Sequence, residues 1–535
     1  MPDLAQTICQ RQQAMAYLRD VHVDVWRRCY RYTYPLRMHG FFGEQVSAEN
    51  GLDRMAELTD STIIEAVRIF AAHLVEGMTP SNALWFGLDV GRESEDEKRW
   101  LSQAAKFIWE NIHNSNFDAV NFESIIDALC AGWMVLYCDE AEAGGYHFEG
   151  WPLSQCYIAS TRPGRPVDTI YRQFELRADQ ALNTYGDACS DKIKEAVEKN
   201  KPHETFQFIH AIYPRKNYVV GARLAKNLPF ASCHVELTTK KVVRESGYHE
   251  FPCAVPRWML IQNGPYAVGP VFDALPDAAT INKVKEYELA NLDMATGGLW
   301  IAEDDGVLNP RSIKIGPRRV IVANSVDSMK PLQPSANFNV TFLAEDRIQN
   351  QIRKLLLADI LPPLEGQPRT ATEINTRMAY IRQMLGPVFA RLQSEYLQPL
   401  IVRCFGIALR AGALGQPPPS LNERTWHVKY KSPLARAQSL VEVDAIDRYV
   451  AGLSQTSQFD AGSMDLVDLD KAHRFRADAL GVPAEIIPTT EDVKKRREAR
   501  SKAQAEMKEQ EVGAEVVKKA GPEVIKQMLP GGGAK

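Results

Sequence analysis

The sequence lacks the motifs that mark the common catalytic and cofactor-binding sites. It contains no GxxxxGK(S/T) phosphate loop, no GxSxG nucleophile turn and no HExxH zinc motif. The terminal GGGAK follows no predicted strand and precedes no helix, so it does not meet the structural conditions of a phosphate loop. The nine cysteines form no CxxC pair and are odd in number, which argues against a disulfide framework or a structural zinc site. We therefore expect no catalytic residues, no metal and no cofactor.

Long apolar runs and an excess of basic residues are absent as well. The most apolar stretch, LCAGWMVLYC at residues 129–138, is about half of the roughly 20 residues that a membrane-spanning helix needs. The first 20 residues lack the apolar core of a signal peptide. The chain carries 63 Lys and Arg against 67 Asp and Glu, so contact with nucleic acid would depend on local clusters of charge. These features favour a soluble protein made in the cytoplasm.

The apolar pattern of the first half predicts an α+β fold that is mainly helical. The 535 residues are enough for about three domains of roughly 150 residues each. Apolar residues at helical spacing, among them Ile63, Val67, Phe70 and Leu74, predict the first helices. These helices span residues 5–32, 54–79 and 95–114.

A mixed region of strands and helices follows. A helix that begins at residue 121 is expected to end near Gly132, where a strand-like run over Trp133–Cys138 begins. Helical stretches are predicted near residues 177–198. Four further strands are predicted, TIYRQFEL (169–176), TFQFIHAIYP (205–214), SCHVELTT (232–239) and AVPRWMLI (254–261).

Two long helices flank a small β-rich module in the centre of the chain. The first is predicted over residues 271–295, with Pro276 in its early turns, and the second over residues 338–358. At 1.5 Å per residue each is roughly 30 Å long. Residues 296–337 between them have the composition of strands and turns. This order predicts a helical stalk that carries a β-rich tip.

A short stiff loop separates the second stalk helix from a very long helix. Pro362 and Pro363 are expected to end the stalk helix, because proline cannot donate a backbone hydrogen bond and restricts the preceding residue. Thr370 and Glu373 fit a capping box that starts the next helix, which is predicted to run to residue 412. Gly386-Pro387 should kink that helix.

The C-terminal part is predicted to be helical after one return strand. The GQPPPS linker at residues 415–420 precedes a strand in TWHVKYKSPLA, residues 425–435. Helices are expected over residues 436–453, 464–480 and 489–510, and the tail at 511–535 is expected to be flexible.

Three clusters resemble reactive or metal-binding sites only superficially. Cys233-His234 and Cys253 have no spacing known for zinc, so buried structural residues are the preferred interpretation. The acidic run at 303–305 has no further ligand at loop spacing and is best explained as a solvated turn. Asp139-Glu140 follow a strand, but no base or nucleophile stands beside them in the sequence.

The basic residues are more informative if the chain forms a ring. Four of them lie in the module between the stalk helices, namely Arg311, Lys314, Arg318 and Arg319. Lys354 and Arg369 border the short loop, and a further basic run lies at residues 494–500. In a monomer, such basic runs usually form a surface that is exposed to solvent and has no binding role. In a closed cyclic assembly each residue would become a belt of identical charges, able to touch phosphates without reading a base sequence.

Five segments, in order, resemble the portal or head-to-tail connector family of short-tailed, podovirus-type phages. The first is AGWMVLYCDE (131–140), similar to a Gly-then-strand segment of that family. The second is YAVGP (266–270), which resembles the start of the family's first stem helix. The others are TATEI (370–374), KSPLARAQ (431–438) and ALGVPAEII (479–487). The five segments occur in the order of the family, and the resemblance extends over most of the chain.

The resemblance implies a dodecameric ring at one capsid vertex of the virion. Applied to this sequence, the domain order of the family would place the wing at 1–270 and 371–435 and the stem at 271–295 and 338–358. The clip would be 296–337, the channel loop 359–370 and the crown 436–510, before the flexible tail. Double-stranded DNA would pass along the axis and contact the protein without sequence specificity. The implied protein partners are the large terminase subunit, tail adaptor or nozzle proteins, major capsid and scaffolding proteins, and internal core or ejection proteins at the crown.

The resemblance also suggests roles for individual residues. Glu365, Gln367 and Arg369, with Lys354 nearby, would line the channel constriction. The four basic residues of the clip would dock terminase or adaptor.

Two other classes of function stay open at this point. An α+β enzyme with an unfamiliar active site in residues 1–260 would be a monomer or a small oligomer, whereas a portal would be a very large ring. A membrane-active or ejection protein would need a long apolar or strongly amphipathic stretch, which we do not find.

Overall fold

In the computed structural model, the described residues are 4–519 apart from several internal segments. The segments left out are 39, 42–47, 90–94, 143, 220–223, 263, 298, 303–328, 333–337, 360–384, 422–426, 430–432, 457–458, 460, 481, 483–485 and 489. The chain divides into two units. The first comprises residues 1–88, 104–416 and 427–435, and the second comprises 89–103, 417–426 and 436–535.

The described part of the chain is mainly helical. Its first helices are α1 (Leu4–Tyr32), α2 (Ala48–Ala56), α3 (Thr62–Met78), α4 (Glu95–Asn114), α5 (Phe117–Ala131), α6 (Ala178–Tyr185) and α7 (Asp191–Glu198). The later helices are α8 (Pro270–Gly297), α9 (Phe338–Leu355), α10 (Gln398–Arg410), α11 (Pro433–Thr456), α12 (Leu469–Leu480) and α13 (Thr490–Lys519). The helix that leads into α10 begins at residue 385 and passes through a π-helical turn, Gln393–Leu397.

Short strands accompany these helices. They are β1 (Gly87–Asp89), β2 (Leu136–Glu140), β3 (Tyr146–Gly150), β4 (Cys156–Ala159), β5 (Thr169–Arg177), β6 (Thr205–Pro214) and β7 (Phe230–Glu236). The remaining strands are β8 (Lys241–Tyr248), β9 (Cys253–Ala254), β10 (Met259–Leu260), β11 (Ala267–Val268), β12 (Leu299–Ala302), β13 (Met329–Leu332) and β14 (His427–Lys429).

An antiparallel five-stranded sheet, in the order β4-β5-β6-β7-β8, forms the centre of the first unit. One face packs against α1, where Ile8 and Met15 meet Tyr171, Ile209 and other buried residues of the sheet. The opposite face packs in part against α6 and α7. The sheet is therefore covered on both faces, which explains the long apolar run of β6.

A second core joins α1 to the segment that precedes α8. Trp26, Trp133 and Tyr266 are buried, and their ring centroids lie 5.2 to 5.5 Å apart. The Trp26 indole N–H donates to the Ala267 carbonyl at 3.2 Å. Aromatic rings at these distances bury a large apolar area in tilted and edge-on contacts.

Ion pairs join the helices of the second unit. Arg497 on α13 donates to Asp470 on α12 at 2.6 and 2.8 Å, and Arg476 on α12 pairs with Asp447 on α11. Several large apolar side chains of this unit, including Phe459 and Met507, are exposed. Isolated exposed pairs contribute little stability, so we expect this unit to be the less stable of the two.

Several predicted boundaries differ from the structure. The predicted helix over 54–79 is two helices, because the Thr59 and Asp60 N–H groups bind the Asn282 side chain and Asp60 Oδ1 accepts from the Thr62 N–H. In the predicted strand at 254–261 only β9 and β10 form, since Pro256 between them cannot donate to a ladder. The predicted strand at 425–435 is reduced to β14, and α11 starts at Pro433.

The ends of two predicted helices are also wrong. The second stalk helix ends at Leu355, several residues before the two prolines. Its end is a Schellman motif, in which Leu357 has φ +54° and the Ala358 N–H donates to the Arg353 carbonyl at 2.8 Å. At the C-terminus, α13 continues to Lys519, so the first nine residues of the predicted flexible tail are helical.

Candidate functional site in the helical hairpin

The most distinctive feature of the first unit is a long antiparallel hairpin made of α8, β12, β13 and α9, which we call the helical hairpin. Lys285 of α8 pairs with Glu345 of α9, and Leu299 of β12 stands opposite Leu332 of β13. Residue numbers therefore rise along the first arm while those of their partners fall along the second, so the two arms are antiparallel. At 1.5 Å per residue, the 28 residues of α8 extend about 42 Å. This confirms the predicted order of helix, strands and helix.

A partly buried polar cluster anchors the base of the helical hairpin. The Asn282 side-chain oxygen accepts from the Thr59 N–H at 3.0 Å and the Asp60 N–H at 3.2 Å. The Gln349 amide donates to Asp60 Oδ2 at 3.0 Å, so the turn before α3 holds both arms. The hydrogen bond to Glu345 raises the pKa of the Lys285 ammonium. These contacts fix where α8 and α9 leave the core.

The two halves of α8 have opposite environments. In its first half four apolar residues are fully buried, namely Val271, Ala274, Ala278 and Ile281. In its second half Tyr287 is 60%, Leu289 is 55% and Leu292 is 52% exposed. Successive residues turn by about 100°, so these three side chains do not share a single face. A helix that exposes large apolar groups on several faces is suited to packing against other chains.

Most residues to which we assigned a role lie outside the described part of the chain. These are Arg311, Lys314, Arg318, Arg319, Glu365, Gln367, Arg369, Thr370 and Glu373. Lys354 is described, and its side chain is exposed in the last turn of α9. Gly386 and Pro387 are described as helical, but the residues before 385 lie outside the description, so the predicted kink stays a prediction.

Two of the quoted motif segments meet in the fold. Gly132 caps α5 with φ +86°, and a Cβ atom there would lie 2.2 Å from the Val268 carbonyl carbon. A Cβ on Gly269 would lie 2.1 Å from the Leu129 carbonyl oxygen. The end of α5 and the start of α8 therefore touch through backbone alone. Sequence inspection found both glycines, but it did not predict that they meet.

The π-helical turn before α10 was missed entirely. It directs Glu395 onto Arg257, and their atoms lie 2.6 and 2.9 Å apart with side chains only 7% and 5% exposed. The adjacent Tyr396 hydroxyl donates to Asn121 of α5 at 2.5 Å. A π-turn inserts one residue into an α-helix and so changes which side chains face the core. The apolar residues Leu392, Tyr396 and Leu400 have the spacing of an ordinary helix, so nothing in the sequence indicated the π-turn.

Two of the three superficially reactive clusters are parts of the framework. Cys233 packs into the core against α1, while its neighbour His234 lies on the opposite face of β7, so the two cannot bind one ion together. Asp139 is paired with the buried Arg403 at 3.2 Å. Residues 303–305 lie outside the description. Within the described ranges, no group of three His, Cys, Asp or Glu side chains is arranged as metal ligands, and no helix is both long and apolar enough to cross a membrane.

The family model described as "Bacteriophage head to tail connecting protein" matches residues 5–487, which is nearly the whole chain. The chain belongs to this head-to-tail connecting family. The resemblance inferred from the five segments is thereby confirmed.

The chain is similar in sequence to two phage proteins over most of its length. It is 26% identical over 484 residues to the "Probable portal protein" of Bordetella phage BPP-1, covering 88% of this chain and 86% of the relative. It is also 26% identical over 478 residues to the "Portal protein" of Salmonella phage epsilon15, covering 84% and 83%. A chain of the "Virion of native gene transfer agent (GTA) particle" is 13% identical over 74% of this chain and 90% of its own length, with a TM-score of 0.34.

Proposed function

We propose that copies of this head-to-tail connecting protein form a dodecameric portal ring at one capsid vertex, through which double-stranded DNA is packaged and later ejected. The observation that carries the proposal is the helical hairpin, which is anchored at its base and exposes large apolar side chains beyond it. Both relatives named above are called portal proteins, and each matches over most of its length. We infer a structural rather than a catalytic role.

The hairpin supports a ring for a physical reason. A rod with exposed apolar residues on several faces is unfavourable in water, but it becomes buried if a copy lies on each side. A head-to-tail contact repeated with a constant rotation closes into a ring. In such a ring α8 and α9 of each copy would form the stem that surrounds the DNA.

Light scattering coupled to size-exclusion chromatography tests the ring. The wild-type chain of 60.0 kDa should elute as a very large particle with a central bore in negative-stain images. Leu289→Asp places a charge among the exposed apolar residues and should shift the population toward monomers. Asn291→Asp introduces the same side chain at a polar position of α8 and should leave rings intact. A wild-type chain that stays monomeric at all concentrations would refute the proposal.

The domain map implied by the resemblance completes the proposal. Residues 1–270 and 371–435 would form the wing, 296–337 the clip, 359–370 the channel loop and 436–510 the crown. In this arrangement Glu365, Gln367 and Arg369 line the constriction, with Lys354 beside it. Replacement of the loop by a Gly/Ser segment of equal length should let packaged DNA slip out of particles. Normal retention of DNA in those particles would remove the channel role from these residues.

The clip would dock the large terminase subunit during packaging and the tail adaptor or nozzle afterwards. Its basic residues Arg311, Lys314, Arg318 and Arg319 suit acidic partner surfaces, because complementary charge steers association. Charge reversal at all four should abolish packaging while rings still assemble. If the rings themselves fail to form, these residues belong to the contact between subunits instead. The wing would meet capsid and scaffolding proteins, and the crown would meet internal core or ejection proteins.

A further inference from the structure

A polar cleft lies in the first unit on the face of the five-stranded sheet that is turned away from α1. Its volume is 430 Å³, a size suited to a small molecule. The cleft lies between Tyr185 at the end of α6 and the layer formed by Tyr137, Trp151 and Arg403. All of these residues belong to the first unit. Nothing in the proposed assembly function uses this cleft.

The floor of the cleft is a row of four basic side chains on four neighbouring strands. In the sheet register Arg172 of β5 stands opposite His210 of β6, His210 stands opposite His234 of β7, and His234 stands opposite Arg244 of β8. All four line the cleft. We call this row the basic ladder. Directly opposed like charges destabilise a sheet, so such a row needs either neutral members or a bound anion.

The two central histidines are neutral at neutral pH. Their rings stack with centroids 3.9 Å apart. His210 is hydrogen-bonded to the Ser232 hydroxyl and His234 to the Tyr185 hydroxyl, each at 2.9 Å. Burial lowers the pKa of both imidazoles, and their neighbours on the basic ladder lower it further. A neutral imidazole keeps one N–H donor, so the ladder still offers donors to an anion.

Of the four arginines that line the cleft, three are paired with carboxylates and one is not. At one end of the cleft Arg403 and Arg410 are neutralised by Asp139 and Glu250, at distances of 2.6 to 3.3 Å. On the ladder itself, Arg172 is 3.3 Å from Glu149.

Arg244 is the exception. Its side chain is exposed and forms no hydrogen bond or ion pair with any residue that the structure describes. The one other lining carboxylate, Glu140, follows Asp139 at the far end of β2. Beyond the effect of burial, Arg172 and Arg244 both lower the pKa of each imidazole, so the two cations lie close enough to act on the histidine pair.

We propose that the basic ladder is a binding site for an oxyanion, namely the phosphate group of a small molecule. Arg172 and Arg244 would close on the phosphate from the two ends of the row, and the imidazole and hydroxyl donors between them would complete its hydrogen bonds. Arginine is the residue best suited to this contact because its guanidinium group can donate two parallel hydrogen bonds to a phosphate. The cleft is far too small for a DNA duplex, so this ligand is distinct from the DNA of the proposed channel.

Isothermal titration of the full-length chain with sodium phosphate, against sodium chloride at equal ionic strength, tests the site. The wild type should bind phosphate saturably and should show a higher thermal unfolding midpoint in phosphate than in chloride. Arg244→Ala should weaken phosphate binding by about tenfold or more, because one charge-assisted contact is lost. Arg244→Lys should fall between the two, since it keeps the charge but not the paired donors.

Arg68→Ala is the matched control, because Arg68 is an exposed arginine on α3. It should bind phosphate as the wild type does. Adenosine monophosphate as a second titrant identifies the source of the group. Tighter, Arg244-dependent binding of the nucleotide indicates a phosphate ester, and equal binding indicates free phosphate. If phosphate acts no differently from chloride, or if the Arg244 and Arg68 variants bind equally, the site does not exist.

Discussion

Replacement of Gly132 by alanine should be among the most damaging single substitutions in this protein. Gly132 has φ +86°, where a residue with a Cβ atom costs about 1–2 kcal/mol. The new Cβ would also lie 2.2 Å from the Val268 carbonyl carbon and 2.5 Å from the Gly269 nitrogen. Ordinary contacts of this kind exceed 3.4 Å, so the backbone must separate by more than an ångström. We expect a total loss of about 4 kcal/mol or more, which is exceptional for one substitution.

Gly144 supplies a matched control for that experiment. It has φ +88°, but a Cβ there would meet nothing within 4 Å. Gly144→Ala should therefore show the left-handed backbone cost alone, about 1 kcal/mol. The measurement is the thermal unfolding midpoint of both variants in one buffer, together with their soluble yield. If the two variants lose the same stability, close packing of α5 against the start of α8 is not what requires Gly132.

Two further predictions concern buried charge. Glu395→Ala leaves the Arg257 guanidinium buried without its partner and should cost about 3–5 kcal/mol, seen as a lower unfolding midpoint. The double change Arg257→Met with Glu395→Leu should recover most of the lost stability. As a control, Asp470→Ala removes an exposed ion pair and should leave the unfolding midpoint unchanged. An unaltered midpoint in Glu395→Ala would disprove the buried pair. Burial lowers the pKa of His234 from 6.5 to about 4, so between these pH values the imidazole is protonated in the unfolded chain but neutral in the folded chain. Stability should be complete above pH 6.5 and should decline toward pH 4, by on the order of 2 kcal/mol at pH 5. His234→Gln should reduce that decline in unfolding midpoints measured from pH 7 to 5 and leave the part that His210 contributes, whereas an unchanged slope would contradict this origin.

Local patterns predicted the regular elements with long, periodic apolar faces. The helix α1, the strands β5 and β6 and both arms of the helical hairpin lie within a few residues of their predicted positions. The strand β8 was missed because its mixed polarity gives little alternation, and β3 was missed because it alternates over only five residues. Helix ends were wrong where a contact distant in the sequence decided them. The turn before α3 is one example, since its N–H groups bind Asn282.

The candidate site shows the same division. Apolar spacing and turn residues were enough to predict two helices joined by a β-rich module. They could not predict that the turn before α3 holds both arms of the hairpin, because Thr59 and Gln349 are far apart in the sequence. The roles assigned to the charged residues of the loop and clip stay predictions, since those residues lie outside the described part of the chain.

The sequence by itself determined the family, through five short segments in a fixed order, and it determined which helices are long. Such features depend on neighbouring residues and on backbone preferences, which are local. Only the tertiary structure decided that Gly132 meets Gly269, that a π-turn brings Glu395 onto Arg257, and that four basic residues on separate strands form one row. These features depend on strand register and on the packing of distant segments, where a shift of one residue would turn each side chain to the opposite face.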